Sequence, residues 1–254
     1  MNAEPAIAEP LQRLPRLGKP RAFSVPKRRG ETNEDAWQHS RKGVGVVSDG
    51  ASISFDSASW SQLLVRRYAQ HPSVDDEWVA GAIVDYGKLH NRDDLPWAQQ
   101  AALDRGSFAS LLGVRDIGFG RVDVFAIGDS LAVLCDGNRV VASFPYQSPD
   151  EFDANPQLLS TNPAENRFLR EVETFSGLSR EWDLGELEDP ALLCVTDALG
   201  RWVLAEQGRE PSPVALLRRI TTRRQFTRLI ERERQAGSLR RDDTTLLAYC
   251  DWAD

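Results

Sequence analysis

Between residues 107 and 144 the chain reads SFASLLGVRD, RVDVFAIGD, LAVLCDG and RVVASF, four short apolar or alternating runs punctuated by Gly and Asp. They predict consecutive antiparallel strands, with CDGNRV as a hairpin turn. An earlier block (AFSVPKR, AWQHS and VGVVSD) carries the same strand signal. Helical spacing follows it over 57–70, where Leu63, Leu64, Val65 and Tyr68 recur on one face. A second helix is predicted over about 76–90, with Val79, Ile83, Tyr86 and Leu89 inward, and a third begins at Pro96. After the central block come a Pro-, Asn- and Ser-rich loop over 145–163 and a short helix in ENRFLREVETF. ALLCVTDALG is a strand ending in an aspartate, and helices are predicted near 197–206, 212–221 and 223–236 before a last strand in DDTTLLAYC. Strands thus fall in two blocks, each followed by helices, with no βα alternation. The expected class is α+β: two packed antiparallel sheets flanked by helices, in an α-β-β-α sandwich.

The chain has 254 residues, enough for a substantial core. Prolines at 5, 10, 15 and 20 predict a flexible or extended tail over residues 1–20, leaving 21–254 as a single domain. A formal net charge of −7 argues against nonspecific nucleic-acid binding. No run approaches the length of a membrane span, and the N-terminus does not read as a secretory signal. Cys135, Cys194 and Cys250 each sit among apolar residues and form no C-x-x-C pair, which predicts buried thiols in a reducing compartment. A cytoplasmic monomer is expected, with neither nucleic acid nor membrane as partner.

Acidic residues recur at the edges of apolar strands. They are Glu34 and Asp35 in TNEDAW, Asp49 in VVSDGA, Asp197 in CVTDAL, and Asp242 and Asp243 in RRDDTTLL. Each alone is compatible with ordinary turn chemistry. His39, His71 and His90 lie beside none of them in sequence, which leaves a zinc site or a Ser-His-Asp triad little support. Oxygen-only ligands suit Mg²⁺ or Mn²⁺, and two such ions can activate a water and steady a phosphoryl group.

Taken in order, RRGETNED, VVSDG, AIGDSLAVL, LLCVTDALG and RRDDTTLLAY resemble the motifs of the metal-dependent serine/threonine protein phosphatases of type 2C, over about residues 21–250. The resemblance implies hydrolysis of phosphoserine or phosphothreonine on proteins by a water activated between two Mn²⁺ or Mg²⁺ ions. Asp49 would bridge the ions, the Gly50 carbonyl would bind one, and Asp197 and Asp242 would complete the other. Glu34 and Asp35 would hold ion-bound waters, and Asp129 would sit where some members bind a third ion. Arg29, or else Arg28, would grip the substrate phosphate. A Ser/Thr kinase or its targets would be the partners.

The chain departs from the family pattern at several points. Gly30 stands where the family arginine usually lies, Ala198 replaces a glycine, and Phe108 a threonine. No histidine follows Asp49-Gly50. Arg201 takes the place of an acidic third-ion ligand, so two tightly held ions and at most a weak third are expected. Two other functions stay open: a catalytically weak module that binds phosphorylated partners, and a phosphatase of small phosphorylated metabolites. The nine arginines of residues 218–241 read as a solvated helix face, because Leu217, Ile220, Leu229 and Ile230 supply a buried stripe.

Overall fold

Strand residues that alternate between two apolar faces need a core on each side. The computed structural model, which describes residues 16–171 and 176–250, supplies both. One sheet has strand order β10-β6-β5-β3-β2, built from β2 (Ala36–Ser40), β3 (Val44–Ser48), β5 (Leu111–Gly118), β6 (Arg121–Ile127) and β10 (Ser179–Asp183). The other runs β1-β12-β11-β7-β8, from β1 (Arg21–Val25), β7 (Leu131–Asp136), β8 (Arg139–Phe144), β11 (Pro190–Val195) and β12 (Thr244–Tyr249). All neighbouring strands in both sheets are antiparallel. Two short strands, β4 (Phe108–Ala109) and β9 (Leu159–Ser160), pair beside them.

The period of two explains the layers. Val47, Leu112, Val124, Leu192, Cys194 and Leu247 point between the sheets. Their chain neighbours Val46 and Leu111 face α1 (Ser57–Gln70) and α2 (Asp76–Gly87). On the other side Leu193 and Val195 face α4 (Asp197–Ala205), α5 (Pro213–Arg218) and α6 (Arg223–Ala236). A third helix, α3 (Trp97–Arg105), follows α2. Gly113 is needed because the Tyr68 ring lies where its Cβ would stand.

The predicted α-β-β-α architecture is therefore the observed one. Some local readings change. The second helix stops at Gly87, so Leu89 falls outside it and is exposed, while Val79 and Tyr86 are buried as expected. The loop over 145–163 contains a 3₁₀ turn at Pro149–Asp153 and β9, and the short helix expected in ENRFLREVETF is a 3₁₀ turn at Pro163–Arg170 over its described part. Edge strand β10 was not predicted; its SREWD has a single apolar residue, Trp182, to mark a buried face. Most of the expected N-terminal tail lies outside the described residues. Leu17, at its end, is buried, and its N–H donates to Asp116 Oδ2 at 3.0 Å.

Candidate functional site

Strand register brings the acidic motifs to one end of the sandwich. Ala36 pairs with Ser48 across β2 and β3, so Asp35 and Asp49 extend from adjacent positions. Val195 pairs with Leu246 across β11 and β12, which sets Asp197 beside the residues that precede β12. Val25 pairs with Thr244, and this draws the segment after β1 to Asp242 and Asp243. Asp129 follows Gly128 at the end of β6, where φ is +93° and a Cβ would press on Ser110.

Asp49 is held by its backbone. Its N–H donates to Ser110 Oγ at 3.0 Å, and its carbonyl accepts from the Ser110 N–H at 2.8 Å. Ser110 Oγ also bonds Ser130 Oγ at 2.6 Å, which ties the Asp49 turn to the Asp129 turn. Gly50 is sterically required, because a Cβ there would lie 2.9 Å from the Glu34 carbonyl oxygen and from Ser57. Asp49 is half-buried, and its carboxyl group meets other acids. Burial raises its pKa well above the ordinary range, and repulsion from Asp35, Asp197 and Asp129 adds to the rise. Asp197, in hydrogen-bond contact with Asp49, is raised by burial and by repulsion from Asp242. Asp129 is pushed up to about 7, chiefly by burial and then by Asp197.

Asp35 links the two sheets. Its Oδ2 accepts from Thr196 Oγ1 at 2.9 Å and from Thr245 Oγ1 at 2.7 Å, while Oδ1 is buried with no hydrogen-bond partner. Burial raises this carboxyl well above the ordinary range, and Asp243 and Asp197 push it further against the two threonine hydroxyls. Thr196 Oγ1 donates to Asp35 and accepts the Thr245 N–H at 3.0 Å, so α4 has no side-chain cap from its own N-cap residue, and the Asp197 carboxylate accepts the Ala198 N–H instead.

Asp242 and Asp243 divide their work. Asp243 is buried and clamps two backbones, accepting the Lys27 N–H on Oδ1 and the Glu34 N–H on Oδ2, both at 2.6 Å. Half-buried Asp242 is the member that repels Asp197 and Asp129. Glu34 accepts from Ser57 Oγ at 2.7 Å, from Lys27 Nζ at 3.0 Å and from Ser52 Oγ.

Of the two arginines singled out from the sequence, Arg28 pairs with Glu31 at 3.2 Å on an exposed turn, and Arg29 is exposed. Arg201 is committed to the 149–153 turn. Its Nη1 donates to the Pro149 carbonyl at 2.8 Å and to Asp153 at 3.0 Å, and Asp153 also holds Arg240 at 2.6 Å. Sequence reading missed Lys27, Ser52, Ser57 and Ser110. Only the strand polarity of SVPKR, which aims Lys27 at the same end as the acids, hinted at one of them.

All donors at this end are oxygens, they repel one another, and one is buried without a partner. That set fits a hard divalent cation. Among the described residues, no three His, Cys, Asp or Glu side chains stand together as a ready-made ligand set. Of two open clefts, one lies away from the acids and one borders the site at Asp35. One of about 530 Å³ lies between the sheet edges β8 and β10, and one of about 350 Å³ lies against Asp35, Asn33 and Arg66. Charge, rather than cavity size, marks the candidate site.

No protein-family model matches the chain, and no curated protein matches it. Solved structures do. The catalytic domain of the serine/threonine protein phosphatase PstP in complex with two manganese ions aligns at TM-score 0.56 and 17% identity, over 93% of this chain and 98% of that one. The Mycobacterium tuberculosis serine/threonine phosphatase PstP/Ppp gives 0.58 and 16%, over 92% and 98%. Serine/threonine phosphatase Stp1 from Staphylococcus aureus gives 0.58 and 14%, over 96% and 99%. The chain therefore has the type 2C phosphatase fold. The likeness extends over nearly the whole of each compared chain and is one of fold.

Proposed function

We propose that this protein hydrolyses phosphoserine or phosphothreonine on partner proteins, using two Mn²⁺ or Mg²⁺ ions. One observation carries the reading: strand pairing gathers Asp49, Asp129, Asp197 and Asp242 at one end of a phosphatase fold, where the first three are raised by neighbouring acids as well as by burial. Asp49, the Gly50 carbonyl, Asp197 and Asp242 are the proposed ion ligands. Bound there, such ions lower the pKa of water and offset charge on phosphoryl oxygens. The chain's own residues do the rest. Ser110 and Ser130 fix the turns that carry Asp49 and Asp129. The threonine pair orients Asp35, and Asp243 fixes the backbone of Glu34, so both acids are set to hold and orient water. A kinase or its targets would be the partners, in the cytoplasm; among the described residues no helix is long and apolar enough to cross a membrane.

The test is hydrolysis of phosphoserine and phosphothreonine peptides with Mn²⁺, against the same protein in EDTA. Turnover that EDTA abolishes is expected. Full turnover in ion-stripped protein would refute the ion-dependent reading. Tight peptide binding without turnover would identify a binding module, and a preference for small phosphate esters would identify a metabolite phosphatase.

A further inference from the structure

We infer that Lys27, through its side-chain ammonium, is the residue that holds the substrate phosphate in this chain. The inference rests on the phosphatase reading of the acid cluster. Ions held by the carboxylates would offset phosphoryl charge, and a fixed side-chain cation beside them would position the ester through a charged hydrogen bond. Among the described residues, Lys27 has the geometry for that task.

Its backbone is clamped from two sides. Asp243 accepts its N–H at 2.6 Å, and Arg234 of α6 donates to the preceding carbonyl, of Pro26, at 3.0 Å. Arg234 also donates to the Asp242 carbonyl and, at 2.9 Å, to Thr244 Oγ1. The base of the Lys27 side chain is thus fastened to the same loop that presents Asp242. Its far end lies at the acid cluster, with Nζ 3.0 Å from Glu34 Oε2 and 2.8 Å from Ser52 Oγ. An ammonium has three donors, so one remains for a phosphoryl oxygen. The group keeps a path to solvent, with 27% of its side chain accessible. Ser52 lies three residues beyond Asp49, so the pair Lys27 and Ser52 borders the proposed reacting centre.

Arg28 and Arg29 sit beyond this clamp. The Glu31 N–H closes a turn on the Arg28 carbonyl at 3.2 Å, and the Arg28 side chain is spent on Glu31. Gly30 stands where the resemblance puts an arginine and has no side chain to offer. A lysine from a neighbouring turn offsets that loss, as a point charge rather than a bidentate fork.

The inference is tested on the full chain supplied with Mn²⁺. Amines are acylated with acetic anhydride, with and without inorganic phosphate, and Lys27 is followed by mass spectrometry against Lys19, Lys42 and Lys88. Phosphate should protect Lys27 selectively. In parallel, Lys27→Ala should raise KM for a phosphopeptide by about tenfold to a hundredfold, the size of a lost charged hydrogen bond. It should change kcat far less, and Lys27→Arg should restore most of the loss. Folding of Lys27→Ala is checked by its melting temperature; the Asp243 contact survives because it uses the backbone N–H. No phosphate protection in a chain that does hydrolyse phosphopeptides overturns the inference and leaves the phosphatase reading standing. A larger KM effect from Arg29→Ala than from Lys27→Ala returns the role to Arg29. Protection of Lys27 without any hydrolysis supports the phosphate site and overturns the enzyme.

Discussion

One buried acid and a group of half-buried acids in this molecule meet opposite fates. On α6, Glu233 is 1% exposed and fully paired. Arg209 Nη1 reaches it at 2.6 Å, Arg232 Nη2 at 2.8 Å and Ser238 Oγ at 2.8 Å. Burial opposes its charge, yet these three partners win, and its carboxyl is drawn down to about 2. At the strand ends Asp49, Asp197 and Asp129 are only partly buried, their nearest charged neighbours include other acids, and every one is raised. A paired buried acid fastens an element in place. Acids held together against their own repulsion are a stored charge that a cation can discharge, which is why this end, and not α6, is read as the working one.

The comparison can be broken most sharply at Asp49. Asp49→Asn is expected to lower phosphopeptide turnover at least about a hundredfold, since several kcal/mol of charge stabilisation depend on this carboxylate. Removal of a repelling charge should leave the melting temperature of the ion-free protein unchanged or higher. Near wild-type turnover in the Asp49→Asn protein would reduce Asp49 to a turn residue.

Glu233→Gln should do the reverse. Loss of this charge is expected to cost about 1.5–3 kcal/mol of stability, the size of a lost charged hydrogen bond, because both arginines keep access to water. Denaturant unfolding measures it, and a cost under about 1 kcal/mol would show that the ion pair only breaks even.

Titration separates the two groups without mutation. The folded pKa of Glu233 is about 2 against an ordinary 4.5, so its contribution is present above pH 4.5 and is lost as pH falls toward 2. Asp129 has a folded value of about 7 against 3.8. The folded chain therefore binds more protons than the unfolded one between those values, and stability in EDTA should fall as pH rises from about 4 to 7. Added Mn²⁺ should remove or reverse that fall. Unfolding curves at pH 4, 5, 6 and 7, with and without the ion, check the sign.

The smallest effect is expected at Arg201. Its guanidinium is committed to Pro149 and Asp153, so it neither ligates nor directly covers Asp129. Arg201→Asp should add a weak ion, seen as an extra low-affinity step in a Mn²⁺ titration, with turnover changed by less than about fivefold. A well-occupied third ion in the wild-type protein would contradict this.

Much of the fold was legible because its signals are local. VGVVS alternates toward two cores, and Asp49 ends the run on a glycine that packing requires. Leu229 and Ile230 marked the inner face of α6 at helical spacing, and both are buried. The edge strand β10 was illegible for the same reason, since Arg180, Glu181 and Asp183 face solvent and leave only Trp182 to reveal it. Leu89 was misplaced because its spacing fits a helix that has already ended at Gly87.

By itself the sequence determined the class of fold and the identity of the acids at the strand ends, since hydrophobic period and punctuation act over a few residues. It could not determine how those acids share their duties. Asp242 and Asp243 are adjacent and chemically alike, yet one repels Asp197 while the other clamps the backbones of Lys27 and Glu34, 216 and 209 residues away. The placement of Lys27 beside the acids was decided in the same way. Pairing of β1 with β12 sets which residue of the following turn meets the Asp243 carboxylate, and that register exists only once the two ends of the chain have met.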